Sequence, residues 1–191
     1  MKTIGFAVCG SFCTFDKVFE QIENLVAHGY KILPIMSENA WSLDTRFGRA
    51  ADWRERFAEL TGEPVIHTLP EAEPIGPKKL LDALVIAPAT GNTLAKLAAG
   101  VTDTCVTLAA KAHLRNARPV LIAPSTNDGL TGAAKNIGAL LNYKHVFFVP
   151  YGHDSYEKKP ASLVAEFTLL PAALEAALEN EQLRPVVITP K

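Results

Sequence analysis

Five short apolar runs recur along the chain, each followed by a turn rich in Gly, Ser, Thr, Asn or Pro and then by a stretch with helical spacing. The runs are Ile4 to Val8, Ile32 to Met36, Leu84 to Ala87, Val120 to Ala123 and Val146 to Val149. Runs this short and this continuously apolar are what a parallel sheet demands, because helices cover both of its faces. Their alternation with helical segments is the βαβ pattern. The predicted fold is therefore a three-layer, Rossmann-like or flavodoxin-like α/β protein, an open parallel sheet with helices on both sides.

The first βαβ unit is the most sharply written. Between the first two strands, Phe15, Val18, Phe19, Ile22, Leu25 and Val26 fall on one face of a helix, and Gly29 stops it. Further helices are expected over Arg46 to Leu60, Thr93 to Ala99, Asp103 to Asn116, Thr131 to Asn142 and Ser162 to Asn180, the last interrupted near Pro171. From Gly62 to Lys78 there are four prolines around Val65-Ile66-His67, which reads as a loop with at most a marginal strand. Tyr151 to Pro160 is polar and aromatic and suits a flap over a site. No repeat or linker divides the sequence, so residues 1–191 read as a single domain.

Composition removes several function classes. The 19 Lys and Arg residues nearly balance 20 Asp and Glu, and they are scattered apart from the doublets Lys78-Lys79 and Lys158-Lys159. A nucleic-acid footprint is therefore not expected. No apolar stretch has the roughly 18 residues of a membrane span. The N-terminal run is too short for a signal peptide and reads as a strand. Cys9, Cys13 and Cys105 form neither a CxxC pair nor a disulfide framework, which places the chain in a reducing cytoplasm. The five histidines lack ligand spacing, so no metal is expected.

In an open parallel sheet, ligands bind beyond the carboxyl ends of the strands. The loops to examine are Cys9-Gly10-Ser11-Phe12-Cys13-Thr14, Ser37-Glu38-Asn39, Pro88-Ala89-Thr90-Gly91-Asn92-Thr93 and Pro124-Ser125-Thr126-Asn127-Asp128. All are rich in small hydroxyl and amide side chains, and three lead into helices whose first N–H groups lack internal partners. Taken singly, Ser11, Thr14, Ser37, Asn92 and Thr93 are ordinary helix caps and turn residues. Gathered at one sheet edge, they form an anion site. A phosphate held by four hydrogen bonds of roughly 1.5–3 kcal/mol each reaches about −8 kcal/mol, the micromolar range. There is no GxGxxG, Walker loop or GxSxG elbow, which disfavours a dinucleotide fold, a P-loop NTPase and an α/β-hydrolase. Cys13 reads as a small buried packing residue, with an activated thiol as the alternative.

At these same loops the sequence resembles the homo-oligomeric flavin-containing cysteine decarboxylase superfamily, along nearly its whole length. The markers are Gly10-Ser11-Phe12-Cys13-Thr14, Pro88-Ala89-Thr90-Gly91-Asn92-Thr93 at the place of the superfamily's PASANT box, and Pro124-Ser125-Thr126-Asn127-Asp128 at its PxMN box. Ala134-Lys135-Asn136-Ile137-Gly138, Val149-Pro150-Tyr151-Gly152 and Lys158-Lys159-Pro160 resemble one branch, whose members work with a dehydrogenase-like partner.

The resemblance implies FMN as cofactor, or phosphate alone if the flavin is absent. Gly10, Ser11, Thr14 and Ser37 would lie at its phosphate and ribityl end, with Ala89, Thr90, Gly91, Asn92 and Thr93 along the flavin. Asn127 would face a substrate carboxylate, with Lys158, Lys159 and His153 as further donors to a small dicarboxylate. It also implies self-association, and oxidation of a dihydropyridine dicarboxylate in the mother cell of a spore-forming bacterium. Two departures separate the chain from the decarboxylases. Thr126 replaces the Met of the second box, and no histidine precedes the PASANT strand, where the sequence is Glu73-Pro74-Ile75-Gly76-Pro77. The alternatives are a flavin-dependent decarboxylase or prenyltransferase of the same superfamily, and a non-catalytic protein that holds phosphate or a nucleotide. No catalytic residue is assigned by sequence.

Overall fold

The computed structural model describes residues 1–189. All five apolar runs are strands: β1 (Thr3–Val8), β2 (Lys31–Met36), β3 (Ala83–Ala89), β4 (Val120–Thr126) and β5 (Val146–Phe148). They pair in parallel in the order β2-β1-β3-β4-β5, with Phe6 opposite Pro34 and Val85, Ile86 opposite Ile122, and Leu121 opposite Phe147. Chain order reverses between β1 and β3, which puts a switch point between them.

The sheet is mixed rather than wholly parallel. Tyr151 to Pro160 is not a loose flap but lies in an antiparallel hairpin of β6 (Tyr151–Ser155) and β7 (Lys159–Ala165). Strand β7 then pairs with the last residues of β4, Ser125 with Val164 and Thr126 with Leu163. Thus β4 carries β5 along its first half and β7 at its tip. The expected helix from Ser162 is corrected accordingly, since Ser162 to Ala165 are ladder residues. The helix α8 runs from Leu170 to Leu178 and has Pro171 in its first turn, where the missing N–H is not needed.

The other helices are α1 (Phe15–Ala27), α2 (Glu38–Ser42), α3 (Ala50–Thr61), α4 (Leu69–Ala72), α5 (Gly91–Ala99), α6 (Cys105–Leu114) and α7 (Ala134–Leu141). The third begins at Ala50 rather than Arg46, because Thr45 and Gly48 close a turn and the Asp44 carboxylate accepts the Ala50 N–H at 2.8 Å. Between Gly62 and Lys78, Ile66 bridges Ile35 in parallel, and the rest winds into α4 and a 3-10 turn over Glu73–Ile75.

Helices α1, α3 and α8 cover one face of the sheet, and α4 to α7 cover the other. On the first face Phe19 is fully buried, with ring centroids 5.1 Å from Trp53, 5.3 Å from Phe57 and 6.3 Å from Phe15. That cluster fixes α1 against the sheet, and with it the loop that α1 terminates.

The residues after α8 return to the hairpin. Tyr151 N–H donates to the Val186 carbonyl at 3.0 Å, and Ile188 N–H donates to the Tyr151 carbonyl at 2.9 Å. A Cβ on Gly152 would come within 2.6 Å of the Ile188 carbonyl oxygen, so this approach requires glycine.

Candidate functional site

The loops after β1, β3 and β4 converge at the switch point. Cys9 N–H donates to the Pro88 carbonyl at 3.3 Å, tying the first loop to β3. The hydroxyls of Ser11 and Ser125, 114 residues apart in sequence, are hydrogen bonded at 2.8 Å. Thr14 donates its hydroxyl to the Ser11 carbonyl at 2.8 Å. Neither Ser11 nor Thr14 therefore spends its side chain on capping a helix. Ser37 does act as a cap, its hydroxyl accepting the Ala40 N–H at 3.4 Å. At α5 the cap is Thr90, which accepts the Thr93 N–H at 3.3 Å.

Together these loops and the β6–β7 hairpin enclose an open cleft of about 680 Å³. It gathers Gly10, Ser11, Thr14, Thr90, Gly91, Asn92, Asn127 and Lys159 from the positions singled out by sequence. Ala89 and Thr93 are buried behind it, and Ser37, Lys158 and His153 do not line it. Ser125, Thr126 and Asp128 join it from the fourth of the loops named by sequence, whereas Lys17, Phe47, Asp154, Ser162, Leu163 and Val164 lie outside those loops and were missed as wall residues. Lys17 sits on the polar face of α1, and Asp154 is carried on a hairpin strand that had read as a flap. The stretch Glu73 to Pro77 adds nothing to the cleft; Gly76 packs instead on Ala112 of α6.

Cys13 is exposed at the cleft wall, not buried as a packing residue, because the 3-10 turn over Phe12–Thr14 aims it outward. The other two thiols are buried. Burial pushes Cys9 up to about 11, against hydrogen bonds from Thr93 and Ser37. Burial likewise pushes Cys105, which donates to the Met36 carbonyl at 3.0 Å, up to about 12.

Among the described residues two cations and two carboxylates reach the cleft. Lys159 pairs with Asp154 at 2.5 Å across the hairpin, and that contact holds the ammonium above its ordinary pKa. Lys17 makes no ion pair among the described residues. Asp128 accepts the Thr126 hydroxyl at 2.5 Å. A Cβ on Gly91 would lie 2.7 Å from both Thr126 Oγ1 and Asp128 Oδ1. The glycine of the third loop therefore makes room for the threonine and aspartate of the fourth.

A cleft of hydroxyls and helix ends at the switch point of a flavodoxin-like sheet lies where open α/β sheets bind their ligands. A model of the Flavoprotein family matches residues 1–165, and the chain belongs to that family. Over 187 residues, 98% of this chain and 94% of the relative, it is 46% identical to the B-subunit of dipicolinate synthase from Bacillus subtilis (strain 168). A crystal structure of the dipicolinate synthase B-subunit from Bacillus halodurans C is similar with a TM-score of 0.91 at 42% identity, covering 100% of this chain and 97% of that one. The FMN-dependent cysteine decarboxylase SpaF shares the fold, with a TM-score of 0.69 at 22% identity over 94% of this chain and 96% of its own.

Proposed function

We propose that this chain is the flavoprotein component of dipicolinate synthase, and that with the synthase's dehydrogenase-like A-subunit it oxidises a dihydrodipicolinate to dipicolinate in the mother-cell cytoplasm of a sporulating bacterium. The observation that carries this reading is the 46% identity to a dipicolinate synthase B-subunit extending over 98% of the chain, cleft loops included. The cofactor in this proposal is FMN, for which the cleft fits in size, since small-molecule sites occupy roughly 300–1,000 Å³, and in chemistry. Gly10 and the hydroxyls of Ser11 and Ser125 would take the phosphate and ribityl end, and the first turn of α5 the flavin. When bound, the flavin supplies a hydride acceptor.

The remaining work falls to the chain's own residues. The Asn127 carboxamide offers N–H donors to one substrate carboxylate, while Lys159 and Lys17 offer cationic ones to the other. Phe12, Phe47 and Leu163 line the cleft with apolar surface that keeps water from the ring. A self-associated assembly belongs to the same proposal.

The test is to pass the purified protein with FMN over a sizing column, record its absorbance, and assay dipicolinate formation with and without the dehydrogenase-like partner. Co-eluting flavin, and product that requires both chains and FMN, are expected. A protein that stays colourless at high FMN, in a complex that works without it, would leave a phosphate-holding, non-catalytic role.

A further inference from the structure

Aromatising a dihydropyridine removes a hydride and a proton, and the proton needs an acceptor in the cleft. We infer that Asp128 is that acceptor, held in place by the Thr126 hydroxyl and by the space that Gly91 leaves. The inference rests on the proposed function and adds to it the residue that takes the proton.

Four other titratable or charged groups face the cleft: Cys13 and Lys17 from the first loop and α1, and Asp154 and Lys159 from the hairpin. The two lysines enter as cations. Asp154 is already neutralised by Lys159 at 2.5 Å, and both are exposed on the hairpin. Asp128 differs in each respect. It is half-buried where β4 ends, its one side-chain partner is a neutral hydroxyl, and that bond uses Oδ1 alone. Among the described residues Oδ2 receives no hydrogen bond; it lies beside Gly132, where a Cβ would stand 2.9 Å away. Glycines thus flank the carboxylate on both sides, and the Thr126 bond sets its rotamer.

In the step, one ring C–H bond of the substrate breaks with its electron pair leaving as hydride to a flavin or nicotinamide acceptor, which is reduced. A second ring hydrogen leaves as a proton to Asp128, and its bonding pair completes the aromatic ring. The substrate loses two electrons and two protons, and Asp128 later releases its proton to water through the open cleft.

The same carboxylate disfavours the dianionic product by like-charge repulsion, which provides a readout independent of turnover. The experiment compares wild type, Asp128→Asn and Gly91→Ala, each as the full chain. It measures FMN binding, calorimetric binding of pyridine-2,6-dicarboxylate, and kcat/KM against pH with the dehydrogenase-like partner present. Asparagine keeps the Thr126 bond but takes no proton. Its turnover should fall by roughly 10²–10⁴-fold and the acid limb of the profile should vanish. Product affinity should rise about tenfold, with FMN binding unchanged. Gly91→Ala keeps the charge but displaces it, so turnover should fall while product binding stays that of wild type. Asp128→Ser, which is smaller and likewise takes no proton, carries the test with the same expected losses if Asp128→Asn does not fold. If wild type turns over and the variant that lacks the Asp128 carboxylate matches it with the acid limb intact, Asp128 is not the acceptor and the proposed function stands. If wild type binds neither FMN nor product and forms no dipicolinate with the partner, both readings fail.

Discussion

Acidification should destabilise this protein through His113, a buried histidine in the last turn of α6 that does not line the cleft. His113 is 1% exposed, and its Nε2 has no hydrogen-bond partner among the described residues. Burial first, then the nearby Arg118 guanidinium, lower its pKa from 6.5 to about 4, against the Pro119 backbone and Asp82, which oppose the shift. The folded protein therefore holds a neutral imidazole, while the unfolded chain takes up a proton below about 6.5. Stability is intact above that value and is lost as pH falls from about 6.5 towards 4. Linkage over that window gives a loss of roughly 2–3 kcal/mol at about pH 4.5 relative to neutral pH. A loss of this size is a large part of a typical domain's 5–15 kcal/mol. Glu71 and Asp103 have lowered pKa values, so their contributions are lost only below their ordinary 4.5 and 3.8, beneath most of this window, and the variant comparison separates the histidine from them. Urea unfolding of wild type and His113→Met at both pH values should show a difference of differences of about that size. Equal acid sensitivity in the two proteins would refute the assignment.

The remaining predictions concern packing and access. Phe19→Ala should cost about 3–5 kcal/mol in chemical denaturation, since the ring fills a closed cluster; a loss under 1 kcal/mol would mean that the cluster collapses around the hole. Gly91→Ala should destabilise by about 1–3 kcal/mol, and Asp128→Ser in the same chain should recover part of it, since the Thr126 hydroxyl stays 2.7 Å from the new Cβ. Strict additivity of the two changes in a double-mutant cycle would show that the side chains do not meet. In the native protein one thiol, Cys13, should react readily with a chromogenic disulfide reagent at mildly alkaline pH, and all three after unfolding. Fast titration of two or three native thiols would contradict the burial of Cys9 and Cys105.

The parallel core was legible because it is written locally: Phe15 to Val26 keep one helical face, and Ile4 to Val8 have no other use than a covered strand. The strand-end loops followed from topology alone. What escaped was decided by non-local pairing. Ser162-Leu163-Val164-Ala165 has no periodicity that separates strand from helix, and only the tip of β4 and the facing strand β6 make it a ladder. The turn at Tyr156 to Lys158 carries no Asn-Gly or Asp-Gly signal, so the hairpin was invisible. Ser11 and Thr14 sit where caps sit, but their hydroxyls found partners across the site and within the loop. Gly91 and Asp128 lie 37 residues apart in sequence, and nothing in one dimension says that a missing methyl and a carboxylate occupy the same space.

The return of residues 186–188 to Tyr151 has a consequence for how the molecule is made. Every residue that lines the cleft has been synthesised once Val164 is added, yet the segment that clasps the base of the hairpin is translated about twenty residues later, and it lies past the stretch that the Flavoprotein model matches. During synthesis the nascent chain folds from its N-terminus, so the three loops at the switch point assemble while the wall carrying Asp154 and Lys159 is still unclasped. Ligand affinity should therefore mature only after this segment has been made, later than the core.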